Sequence, residues 1–66
     1  MNYKIIDNGL ESIVNSPEKV YMYILNKEAT EENYFRAKDA KCWCELANAG
    51  DTYEDNQLVI ECTYNF

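Results

Sequence analysis

The sequence has no histidine, only two glycines and a single proline in 66 residues. Without histidine it lacks the commonest general base, the commonest neutral metal ligand and every Ser-His or Cys-His nucleophile pair. Gly9 and Gly50 stand far apart, so neither a phosphate-cradling loop nor a dinucleotide-binding glycine fingerprint can form. The cysteines, Cys42, Cys44 and Cys62, are odd in number and lack the four-ligand spacing of a structural zinc site. No basic residue lies near Cys62 to lower its thiol pKa, and all three read as reduced thiols packed as small hydrophobes. The expectation is a non-enzyme with no metal and no cofactor. Long apolar runs are missing too, since nothing approaches the ~20 residues of a membrane span. The first residues, Met1-Asn2-Tyr3-Lys4-Ile5-Ile6-Asp7, lack a signal peptide's apolar segment and cleavage site. A cytoplasmic protein without membrane contact is expected.

What is present points to a folded chain. A hydrophobic content of 47% with 14% aromatics is too rich in core formers for a disordered acidic tail. The length allows one domain, residues 1–66, and at this size folding buries only about 60% of the surface an unfolded chain exposes. Six basic residues against twelve acidic ones leave a formal charge of -6. That balance disfavours direct nucleic-acid binding, because affinity for phosphates comes mainly from Lys and Arg. The charge is also uneven. All the bases, Lys4, Lys19, Lys27, Arg36, Lys38 and Lys41, precede Cys42, and the acids after it, Glu45, Asp51, Glu54, Asp55 and Glu61, carry five of the six net negative charges.

Apolar spacing suggests the elements. Leu58, Ile60, Cys62, Tyr64 and Phe66 alternate with Val59, Glu61, Thr63 and Asn65, the pattern of a strand with one face in the core. Residues 51–56 are polar and turn-prone, with Gly50 placed just past a helix end. Thr30 is a good N-cap and is followed by Glu31 and Glu32, which predicts a helix over about 31–48. On its wheel Phe35, Cys42, Trp43 and Leu46 gather on one side, with Trp43 as an anchor. Asn8-Gly9 is a hairpin signal between residues 3–6 and 10–14, yet residues 8–11 fit a capping box equally well, and both readings stay open. Residues 19–26 are apolar from Val20 through Leu25 and read as a central strand covered on both faces, although Ser16-Pro17-Glu18 also suits a helix start. The fold expected is α+β, a three- to four-stranded sheet with one long helix on one face. The far side of the 19–26 strand, with Tyr21, Tyr23 and Leu25, would then either face a protein target or a second copy, or leave the tyrosines half-exposed with their hydroxyls in water. The free edge of the last strand offers a further place for self-association.

With the helix antiparallel to the last strand, residues 51–56 project from one end of the domain. Glu45, Asp51, Tyr53, Glu54, Asp55 and Glu61 are therefore the candidate partner-binding residues. Carboxylates on a rigid scaffold can occupy a basic groove that otherwise holds phosphates, with Tyr53 as an anchoring contact. Small size, acidity, the missing catalytic set, many Asn and Tyr residues and a lone α+β unit make the chain resemble the accessory proteins of bacteriophages and other mobile elements. Anti-CRISPR proteins and other inhibitors of host defence belong to that group. The resemblance spans the whole chain in composition and includes no motif. It implies a non-enzymatic inhibitor that acts in the bacterial host's cytoplasm on a protein with a basic surface, such as a nuclease or its guide complex. Arg36, Lys38 and Lys41 suit a mixed-charge interface. The alternative expectation is a structural or regulatory homodimer.

Overall fold

Chain order is β1 (Asn2–Asp7), β2 (Leu10–Val14), α1 (Pro17–Lys27), α2 (Glu31–Leu46), β3 (Thr52–Glu54) and β4 (Leu58–Thr63), in a computed structural model that describes residues 1–65. The strands form one antiparallel sheet in the order β2-β1-β4-β3. The α+β class expected from the sequence is the one observed. Two helices cover the sheet, however, where one long helix was expected.

The hairpin reading of Asn8-Gly9 is the one the chain adopts. Asn8 takes φ 51° and Gly9 φ 82°, left-handed values at both central positions that match the right-handed twist of the flanking strands. A two-residue connection then sets the register, with Asp7 opposite Leu10 and Tyr3 opposite Val14. β4 lies between β1 and β3, so it has no free edge, contrary to the expectation for the last strand. Its alternation is as expected, with Leu58, Ile60 and Cys62 buried. It ends at Thr63, Tyr64 is exposed, and Phe66 lies outside the described residues. Residues 51–56 are not all loop, because Thr52–Glu54 pair with β4 as a short edge strand.

The main correction concerns residues 19–26, which are helical. Ser16 caps the helix by accepting from the Lys19 N–H at 3.2 Å, and Pro17 occupies the first turn, where its missing N–H costs no hydrogen bond. Val20 and Ile24, four residues apart, are fully buried, and Tyr21, Tyr23 and Leu25 pack half-buried around them. A continuous apolar run does not by itself distinguish a buried strand from a helix, and here the cap decides. In α2 the expected stripe is also displaced. Its buried residues are Asn33, Ala37, Ala40 and Cys44, whereas Phe35 is 55% and Leu46 82% exposed, and Cys42 is exposed. The small alanines let α2 lie close to its neighbours, and helix spacing depends on such contact residues.

The core joins Val20, Ile24, Ala37, Ala40 and Cys44 of the helices to Tyr3, Ile5, Leu58, Ile60 and Cys62 of the sheet. Each of Ile5, Ile24 and Ile60, essentially inaccessible to solvent, contributes about 1.5–3 kcal/mol on burial. Tyr3 reaches across to donate its hydroxyl to the Cys44 carbonyl at 3.2 Å. All the sheet residues in this core lie on one face.

Candidate functional site

Residues opposite one another in neighbouring strands point to the same side of a sheet. The face turned away from the helices can therefore be read from the register. One row runs Glu54, Val59, Ile6, Glu11 across the strands, and the next runs Thr52, Glu61, Lys4, Ile13. Ile6 and Val59 are half-buried and Ile13 is 57% exposed. Three glutamates thus surround an apolar strip, with Lys4 as the cation on the face. Its ammonium lies 3.3 Å from Glu11 and 3.6 Å from Glu61. Pairs this exposed are worth about 0–1 kcal/mol, so Lys4 holds the two glutamates only weakly.

Of the six residues expected to bind a partner, the fold places Glu54 and Glu61 on this face as diagonal neighbours, a spacing of about 7–8 Å between Cα atoms. The others are dispersed. Tyr53 points inward opposite Ile60, half-buried, its ring centroid 5.4 Å from that of Trp43. Burial, then the charges of Asp55 and Asp39, push its phenol up. Asp51 accepts from the Asn48 N–H at 2.8 Å and closes the turn after α2. Glu45 lies on α2 in a shallow depression with Glu18, Lys38 and Lys41, well separated in the fold from the open sheet face. Glu11 is the residue that sequence reasoning passed over. The hairpin reading of Asn8-Gly9 would have placed it opposite Ile6.

Asp55 has a structural task. Its Oδ1 accepts from the Gln57 and Leu58 N–H groups at 2.7 and 3.0 Å, and its Oδ2 accepts from Arg36 Nε at 3.0 Å. Arg36 Nη1 also donates to the buried Asn33 at 2.8 Å, whose Nδ2 in turn donates to the Glu28 carbonyl at 2.8 Å. Burial raises the Asp55 carboxyl, but the hydrogen bonds from Arg36 and the two backbone groups, with the guanidinium charge, outweigh it and hold it below its ordinary 3.8. This chain ties the β3–β4 turn to the α1–α2 connection.

A cleft of about 320 Å³ opens beside this brace, lined by Asp7, Leu10, Tyr23, Lys27, Arg36 and Gln57. Tyr23 donates to Asp7 Oδ2 at 3.2 Å, and Lys27 lies 3.4 Å from the same oxygen. Tyr23 first and Asp7 second raise the Lys27 pKa. Tyr21 takes a different direction, edge-on to Tyr34 at 6.5 Å, and Leu25 packs on the core. Tyr21, Tyr23 and Leu25 therefore do not form the single free sheet face expected of them. Among the described residues no buried side-chain nitrogen or oxygen lacks a partner.

Cys44 and Cys62 are buried, and burial first, then Cys62 and Glu45, pushes the Cys44 thiol up to about 12. Such a thiol stays protonated at neutral pH. Among the described residues no three His, Cys, Asp or Glu side chains converge as metal ligands, and no helix is long and apolar enough to cross a membrane. No family model matches the chain, and no curated protein or solved structure is significantly similar to it.

Proposed function

We propose that the protein is a non-enzymatic binding protein that docks its open sheet face on a basic protein surface, as an anti-defence inhibitor would at a nuclease or its guide complex. The observation that carries this reading is the placement of both helices on one side of the sheet. It leaves Glu11, Glu54 and Glu61 around Ile6, Val59 and Ile13 on the other. An apolar centre with a charged rim is the composition of many protein interfaces. The partner's chemistry follows from the sign of the rim and the net charge of -6, which favour encounter with Lys and Arg clusters of the kind that line nucleic-acid sites. The inhibitory role is an inference from the likeness to mobile-element proteins in size and composition. Within that reading the working residues are Glu11, Glu54 and Glu61, and Asp51, Tyr53 and Asp55 hold the scaffold.

The experiment is affinity capture from a bacterial lysate at low and high salt, repeated with heparin as competitor and with the variant Glu11→Gln/Glu54→Gln/Glu61→Gln. These side chains are exposed or half-buried, and substitutions of that kind change stability by less than about 0.5 kcal/mol each. The expected result is a nucleic-acid-handling protein that heparin and high salt release and that the folded variant does not retain. Capture that resists salt and heparin and survives the triple substitution would overturn the assignment.

A further inference from the structure

The two edges of the sheet differ. At one edge β3 has only three residues, ends on Glu54 and is flanked by Asp51 and Asp55, the short, charged form that discourages further pairing. At the other, β2 is five residues long, Leu-Glu-Ser-Ile-Val, with no proline, no lysine and no strand neighbour beyond it among the described residues. Leu10 and Ile13 are 66% and 57% exposed there.

The hairpin register states which backbone groups this edge offers. Asp7 and Leu10 flank a two-residue turn and form a hydrogen-bonded pair, and the pattern alternates along an antiparallel ladder. Leu10, Ser12 and Val14 therefore direct their N–H and C=O groups at β1. Glu11 and Ile13 direct theirs outward.

We infer that β2 pairs antiparallel with β2 of a second copy about a twofold axis at Ser12, joining the two four-stranded sheets into one of eight strands. The side chains and the backbone agree on this arrangement. A twofold at Ser12 places Glu11 opposite Ile13 of the second copy in a hydrogen-bonded pair, so the outward N–H and C=O groups of both residues find partners. On the other face Leu10 meets Val14, apolar against apolar. No carboxylate is opposite another carboxylate, and the one acid of the strand, Glu11, is paired with Lys4 within its own chain. Isologous contacts of this kind close with two copies. The open faces of the two sheets become continuous, which doubles the acidic surface without adding an element.

Sedimentation equilibrium of the full chain up to millimolar concentration, at low and high salt, tests the association. The expected result is a mass of two chains, with dimerisation tighter at high salt because two copies of charge -6 repel less when screened. That sign is opposite to the one expected for a basic partner, so the two proposals fail separately. Ile13→Glu sets a new carboxylate opposite Glu11 of the second copy and is expected to weaken the dimer about tenfold or more, whereas Ile13→Lys creates an opposite-charge pair and preserves it. In a Cys42→Ser background, Ser12→Cys forms an intermolecular disulfide on mild oxidation and Leu10→Cys does not, because only residue 12 faces its own counterpart. A mass of one chain at every concentration, or a dimer in which Ser12→Cys crosslinks no faster than Leu10→Cys, would overturn the inference.

Discussion

Asp55, expected from the sequence to meet a partner, has a structural task in the fold. It sits in the acidic loop, yet its oxygens accept from Gln57, Leu58 and Arg36. Its carboxyl is held below its ordinary value in the folded chain, so the unfolded chain binds the proton more tightly. The resulting stabilisation is complete above the unfolded-state pKa near 4 and is lost as pH falls through the lower folded value. Asp55→Asn turns an acceptor facing Arg36 into a donor and is expected to cost about 1–3 kcal/mol at pH 7. The variant should also lose part of its sensitivity to acid below pH 4, as measured by urea unfolding across that range. An unchanged midpoint at pH 7 would mean that the brace contributes nothing.

At the scale of elements, caps and turns decide what apolar content leaves open. Val20 through Leu25 would serve as a buried strand, and the Ser16–Pro17 start makes them a helix. Ser16→Ala removes the acceptor for the Lys19 N–H and is expected to destabilise the domain by about 1 kcal/mol. For a chain of this size that lowers the melting temperature by roughly 4–8 °C, readable by circular dichroism. Ser16→Asp should restore most of the loss, since it supplies both an acceptor and a negative charge at the helix start. Failure of Ser16→Asp to recover stability would show that the cap is not what holds α1 in place. The same logic applies to the hairpin, where Asn8-Gly9 sets a register that puts Glu11 beside Ile6 and Lys4 beside Ile13.

For the whole molecule, a small core works against self-repulsion. Ion pairs such as Lys41–Glu18 at 3.0 Å and Lys4–Glu11 at 3.3 Å are exposed and contribute little, while a charge of -6 on 66 residues opposes compaction. Raising salt at low micromolar protein, where self-association is minimal, is expected to raise the melting temperature by a few degrees. A fall would show that the surface pairs outweigh the net repulsion. The proposed contact surface is arranged at this scale too. The acids form a usable surface because the helices share one side of the sheet, and the β2 edge is open because β1 and β4 take the interior positions.

Several features are legible in the order of the amino acids alone. Charge, the missing histidine, the period-two alternation at 58–62, the Thr30 cap and the α+β class all rest on residue chemistry or on spacing along the chain, which are local properties. The path of residues 19–26, the buried face of α2 and the sorting of the acids depended on packing. Ala37 and Ala40 carry no strong apolar signal, yet they are buried in the core beside Val20 and Ile24. Glu11, Glu54 and Glu61 come from three segments, and no spacing in the sequence relates them. They share a face because β1 lies between β2 and β4, and β4 between β1 and β3, a strand order set by long-range pairing and by the burial of Ile5 against Ile60.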